Sequence, residues 1–182
     1  MNVIKTDIEG VLVIEPQVWG DSRGYFMETF SERDFAAKTG IEATFVQDNE
    51  SCSKKGVLRG LHFQKSPYAQ AKLVRVVRGR VMDVAVDLRR QSPTFGKYVA
   101  MELSGENHRQ MFIPKGFAHG YVVLEDDTVF QYKCDEFYHP EAEGGIAWND
   151  PQIGVEWGVE EGDVILSEKD KNRQTLSQIC EF

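Results

Sequence analysis

The sequence predicts a mainly β fold, an antiparallel sandwich or barrel with a few short helices. Three observations carry this. Apolar runs are short and alternate with polar residues, turn signals recur at short intervals, and one segment before the C-terminal region has a strong helical pattern.

Val11 to Glu15 reads as a strand stopped by Pro16, and Asp21-Ser22-Arg23-Gly24 as a turn leading into a strand from Tyr25 to Phe30. Alternation there sets Phe26, Glu28 and Phe30 on one face. Ser31 is placed to cap a helix, with acids in its first turn and Gly40 as its stop. Strands then follow at Thr44 to Asn49 and at Val57 to Phe63. Period two puts Leu58, Gly60, His62 and Gln64 on one face of the latter and Val57, Arg59, Leu61 and Phe63 on the other. Ala71 to Val77 and Val81 to Leu88 read as a hairpin around Arg78-Gly79-Arg80. Tyr98 to Leu103, Gln110 to Ile113, Gly120 to Leu124 and Val129 to Cys134 are separated by polar turns. Ile146 to Trp148 and Val164 to Leu166 are the last strands, and Ser167 caps a short final helix or turn. No linker or repeat interrupts the 182 residues, so residues 1–182 are expected to form one domain.

The formal charge of −8 argues against non-specific nucleic-acid binding, which needs a basic surface. Cys52, Cys134 and Cys180 are far apart and form no zinc-type cluster; reduced thiols in a cytoplasmic protein are the expectation. The N-terminus lacks the apolar core of a signal peptide, and no apolar run approaches the roughly 20 residues of a membrane span.

His62, flanked by Leu61 and Phe63, is screened from water and titrates nearest neutrality of all side-chain types. A lone histidine so placed is more often structural. Arg59 and Lys72 nearby tip the reading toward a site. Pro114-Lys115-Gly116-Phe117-Ala118-His119, with His62 upstream, is similar to the two-motif layout of the cupin jelly roll. Gln64 stands where metal-binding cupins carry a second histidine, and no glutamate follows at the expected place, so a metal set is not expected.

The resemblance extends further. Asp21 to Glu28, Phe45 to Asn49, Gly56 to Gln64, Gln70-Ala71-Lys72, Pro114 to Gly120, Glu143 to Pro151 and Ser167 to Asp170 together resemble the dTDP-4-dehydrorhamnose 3,5-epimerase family, in order along nearly the whole chain. The resemblance implies a metal-free, cofactor-free, usually dimeric cupin. Such an enzyme converts dTDP-4-dehydro-6-deoxy-D-glucose to dTDP-4-dehydro-L-rhamnose in dTDP-L-rhamnose biosynthesis. It also implies His62 as base with Asp170 behind it, Tyr132 as acid and Lys72 at the sugar carbonyl. Arg23, Glu28, Gln47, Asn49, Arg59, His119, Glu143 and Lys169 would hold the nucleotide sugar, with Tyr138 lining its pocket.

These residue types suit the chemistry. A C4 ketone acidifies the C3 and C5 protons; inversion needs a base, an acid across the ring and a cation at the oxygen. Arg23 and Arg59 offer planar forks of donors to a diphosphate. Neither a P-loop nor a dinucleotide fingerprint is present, and a double epimerisation is redox-neutral. Asp83, on the strand after Gly79, remains a second candidate to orient His62. A single-carbon epimerase, a ketoisomerase and a ligand-binding cupin without chemistry are the alternatives.

Overall fold

The computed structural model describes residues 1–179; Cys180 lies outside them. Thirteen strands run in chain order as β1 (Asn2–Lys5), β2 (Leu12–Glu15), β3 (Val18–Asp21), β4 (Gly24–Met27), β5 (Gln47–Ser53), β6 (Leu58–Gln64), β7 (Lys72–Arg78), β8 (Arg80–Asp87), β9 (Tyr98–Ser104), β10 (Gln110–Ile113), β11 (Phe117–Val123), β12 (Thr128–Cys134) and β13 (Glu143–Gly145). A six-stranded sheet has the order β1-β2-β10-β7-β12-β5 and a five-stranded sheet the order β13-β6-β11-β8-β9; β3 and β4 form a separate ribbon. Paired strands are antiparallel throughout, as in β10 with β7 and β11 with β8.

From β5 to β13 the chain changes sheet at every step except between β8 and β9, which makes the jelly-roll sandwich. The expected hairpin of β7 and β8 is therefore not one. β7 pairs with β10 and β12, whereas β8 pairs with β11 and β9. Burial explains the difference. Val81 and Ala85 face the core between the sheets, while Val84 and Val86 face a second apolar cluster on the outer side. A strand apolar on both faces belongs inside a covered sheet. Gly79 makes the crossover at φ 80°, and a Cβ there would lie 2.2 Å from Thr128 Oγ1.

Three clusters result. The first, with Val74, Met111, Ile113 and Phe130 against Leu103, Phe117 and Val123, fills the sandwich. The second buries the outer face of the five-stranded sheet under Ile146, Ile153, Trp157 and Leu176. The third packs Phe35 of helix α1 (Glu32–Thr39) on Leu12, Leu73 and Phe112 of the six-stranded sheet. That helix has the expected caps: Ser31 Oγ accepts from Asp34 N, and Gly40 is left-handed.

Other expected strands differ in extent. The one expected from Thr44 begins at Gln47 and runs to Ser53. The one expected from Gly120 begins at Phe117. β4 ends at Met27, so Phe26, Glu28 and Phe30 share no face: Phe26 is exposed, while Phe30 packs with Phe35 and Phe45. Ile146 to Trp148 and Val164 to Leu166 form only the isolated bridges of Ile146 with Gln174 and Ile165 with Val57. β1, β3 and β13 carry no clear alternation and are not expected from the sequence.

β6 departs most from regular pairing. His62 faces His119 across the ladder, yet Arg59 faces Tyr121, so β6 carries one extra residue. The irregularity falls at Gly60, whose peptide bond to Leu61 is cis and whose φ is 142°. A Cβ at Gly60 would lie 2.5 Å from Gly120 Cα, so only glycine fits. Period two would set Arg59 and His62 on opposite faces. With the extra residue, Leu58, Leu61 and Phe63 all join the outer cluster, and Arg59 and His62 line the same cavity.

Candidate active site

The cavity has a volume of about 600 Å³ and lies between the two sheets at one end of the sandwich. Its lining includes Asn49 on β5, Arg59 and His62 on β6, Lys72 on β7, His119 on β11 and Tyr132 on β12. Tyr138, Glu143, Lys169 and Asp170 close it from β13 and the segments around it. Most of the residues named from the sequence thus converge, although they come from positions over a hundred apart in the chain.

His62 Nε2 lies 2.6 Å from Asp170 Oδ1, and the imidazole is about one-third exposed while the carboxylate is buried. Asp170 sits in helix α2 (Glu168–Lys171), whose cap, Ser167 Oγ, accepts from Asp170 N at 3.1 Å. Burial alone would raise the Asp170 carboxyl, but the hydrogen bond and charge of His62 outweigh it and hold it below the usual range. Asp83, the other candidate, lies 2.9 Å from His119 Nε2 instead. That choice could not be read from sequence, because it depends on how α2 folds back over β6.

Lys72 is on β7 and Tyr132 on β12, next to one another in the six-stranded sheet. The ammonium lies 5.7 Å from the centre of the Tyr132 ring. Because β6 belongs to the facing sheet, His62 and Tyr132 approach the cavity from opposite walls. Burial pushes the Tyr132 phenol up to about 12, so it is protonated at neutral pH. Burial lowers the Lys72 ammonium, opposed by the charges of Asp83 and Glu143. His119 is lowered by burial, with Asp83 opposing.

Glu143 accepts from Lys169 Nζ, from Tyr138 Oη at 2.6 Å and from Arg173 Nη2. Burial opposes its ionisation, but these bonds bring its carboxyl down to about 2. Gln47 does not line the cavity; it donates to Asn49 Oδ1 at 3.1 Å and accepts from Tyr138 N at 3.1 Å, at the mouth. Arg23 and Glu28 are not brought to this cavity. Arg23, 88% exposed, pairs with Asp21 beside it on the β3–β4 ribbon, and Glu28 is exposed just after that ribbon. Gln64 is committed elsewhere: its amide donates to Tyr68 O and Phe137 O and accepts from His139 N. Among the described residues no three His, Cys, Asp or Glu side chains converge as a metal set. Arg173 lines the cavity and was not among the residues expected there; it follows the Ser167–Asp170 motif with no pattern to mark it.

The arrangement offers a histidine with a carboxylate behind it, a neutral phenol on the far wall and the ammonium of a half-buried lysine beside the phenol. These are the parts for removing a proton from one face of a ring and returning one to the other. Arg59 and Lys169 at the rim offer cations to a polyanionic group.

Residues 5–178 match the family model described as dTDP-4-dehydrorhamnose 3,5-epimerase. The chain is 54% identical to the dTDP-4-dehydrorhamnose 3,5-epimerase of Methanothermobacter thermautotrophicus, covering 96% of this chain and 94% of that one. It is similar to the crystal structure of that enzyme from Elizabethkingia anophelis, with a TM-score of 0.94, 52% identity and 97% of each chain covered. It is also similar to the dTDP-6-deoxy-D-glucose-3,5-epimerase of Legionella pneumophila in complex with dTDP-4-keto-L-rhamnose. There the TM-score is 0.94 and the identity 51%, covering 98% of this chain and 94% of that one. With its jelly roll, its histidine–carboxylate pair and a match over nearly its full length, the chain belongs to the dTDP-4-dehydrorhamnose 3,5-epimerase family.

Proposed function

We propose that the cavity epimerises dTDP-4-dehydro-6-deoxy-D-glucose at C3 and C5, giving dTDP-4-dehydro-L-rhamnose for dTDP-L-rhamnose biosynthesis. The observation that carries this is the His62–Asp170 pair facing Lys72 and Tyr132 across one cavity. His62 takes the proton beside the ketone and Asp170 stabilises the imidazolium. Lys72 meets the negative charge that develops on the C4 oxygen. Tyr132 returns a proton from the other face; the imidazolium then releases its proton to solvent and the phenolate takes one back, which restores both groups. Repetition at the second carbon completes the inversion. Arg59, His119, Asn49 and Lys169 hold the nucleotide sugar, with Glu143, Tyr138 and Gln47 shaping the mouth. No electron transfer is required, so no redox cofactor enters. Residues 1–182 act as one domain in this reading. Incubation with dTDP-4-dehydro-6-deoxyglucose in heavy water, followed by NMR, tests it. Deuterium at both C3 and C5 with an L-configured product is expected; exchange at one carbon alone would leave a single-carbon epimerase instead.

We infer further that the enzyme is a homodimer whose sites are shared. Arg23 and Glu28 lie away from their own cavity, beside a ribbon exposing Trp19, Tyr25 and Phe26. An exposed aromatic ribbon carrying a guanidinium paired with Asp21 on the same ribbon fits a neighbouring subunit's nucleotide site better than solvent. Mixing Arg23→Ala protein with His62→Ala protein, each inactive alone, is expected to restore turnover as subunits exchange. Mixed dimers that stay inactive would place Arg23 outside the site. Among the described residues no helix is long and apolar enough to cross a membrane. The free thiols of Cys52 and Cys134 suit the cytoplasm. Recovery of the native protein in a secreted fraction would contradict that placement.

A further inference from the structure

We propose that Arg173 is a positioning residue for this reaction, joining Glu143 at the nucleotide-sugar rim to the His62–Asp170 pair and limiting how readily that pair takes up a proton. The inference rests on His62 being the base.

Three observations support it. Arg173 lies between two carboxylates: Nη2 donates to Glu143 Oε1, and Nε is 3.6 Å from Asp170 Oδ1, the same oxygen that lies 2.6 Å from His62 Nε2. The guanidinium is enclosed, 12% exposed, and its Nε is buried without a hydrogen-bond partner, close to Asp170 in charge but too far to bond it. Its path is built into the fold. A Cβ at Gly145 would lie 2.6 Å from Arg173 Nε, so the side chain passes where β13 has no side chain. The adjoining backbone is pinned by Ala147 N donating to Gln174 O at 2.8 Å and Leu176 N donating to Asp150 Oδ2 at 2.7 Å.

The sign follows from the charges. Asp170 favours the imidazolium, and a cation beside Asp170 disfavours it. Without Arg173 the carboxylate acts on His62 unopposed, and the pair holds its proton to higher pH. A base that stays protonated is inactive. The other groups facing the pair are Glu143 on β13, His119 on β11 with Asp83 behind it on β8, Lys72 on β7 and Tyr132 on β12. Among these, substitution of Arg173 directly alters only Glu143, which loses one donor. Glu143 keeps its bonds from Lys169 and Tyr138, so the rim retains two of its three contacts.

The test is the pH profile of kcat/KM for Arg173→Met. Its acid limb is expected to move up by roughly half to one pH unit, a threefold to tenfold loss on that limb with a smaller change on the plateau. Arg173→Lys should recover part of the shift. Gly145→Ala, which displaces the guanidinium while keeping its charge in the chain, should reproduce the shift and decides the matter if Arg173→Met does not fold. An unmoved acid limb in folded variants overturns the proposal. So does a tenfold rise in KM and in the dissociation constant for dTDP with the limb unmoved, because Arg173 would then be a direct diphosphate ligand. His62→Ala serves as the control. If it is inactive while Arg173→Met keeps the wild-type profile, only the Arg173 proposal fails; if it turns over normally, the base assignment fails first.

Discussion

His62→Ala is expected to lower kcat by about 10³-fold or more while binding of dTDP persists. The loss is large because in the proposed mechanism the imidazole performs the proton removal itself, with Asp170 holding its orientation through a 2.6 Å bond. Binding persists because the cations placed for the diphosphate, Arg59 and Lys169, lie elsewhere on the cavity wall. The fold should tolerate the change. Asp170 loses one partner, but Arg173 lies 3.6 Å from the same oxygen, so the buried carboxylate is not left without a nearby cation. Steady-state kinetics with calorimetric titration of dTDP separates the effects. Retention of more than a tenth of wild-type kcat would remove His62 from the proton-transfer step.

Lys72→Met should cost about 10²- to 10³-fold in kcat, equivalent to about 3 to 4 kcal/mol, the loss found when one preorganised oxyanion donor is removed. The substitution keeps the length and apolar stem and removes only the ammonium. Burial lowers the Lys72 ammonium, so the folded protein carries a desolvation cost at this position. Thermal stability of the variant should therefore not fall. Catalytic loss with an unchanged or raised midpoint is the pattern of a charge retained for chemistry. A variant that loses stability but keeps kcat would make Lys72 a structural lysine of β7. The dTDP dissociation constant should stay within a few-fold, since the carbonyl is at the sugar end.

Local chemistry explains what the sequence made legible. The caps of α1, the acidic turn before β12 and the strands of both sheets other than β1 and β13 follow from turn residues and short alternation, which act over a few residues. Site membership was legible through motifs: His62, Lys72, His119, Tyr132 and Asp170 do meet, although a lone histidine in the setting of His62 is more often structural. What was not legible is long-range. Whether β7 and β8 pair with each other depends on which sheet covers them, and Gly79 looks like a hairpin glycine either way. The face of Arg59 depends on one extra residue in β6, set by the contact of Gly60 with Gly120 sixty positions later. The choice between Asp83 and Asp170 depends on a four-residue helix far along the chain. Arg173 shows nothing in sequence because its partners, Glu143 and Asp170, become neighbours only after β13 pairs with β6. Arg23 and Glu28 have the residue types of a nucleotide site but lie away from the cavity of their own chain.

Solvent deuterium entering the sugar tests the central claim most directly. Wild-type enzyme and His62→Ala would each be held with dTDP-4-dehydro-6-deoxyglucose in heavy water, and C3 and C5 followed by NMR. Label at both carbons with the wild type and at neither above the buffer rate with His62→Ala is the expected result. Label appearing at the wild-type rate in the variant would show that another group removes the protons.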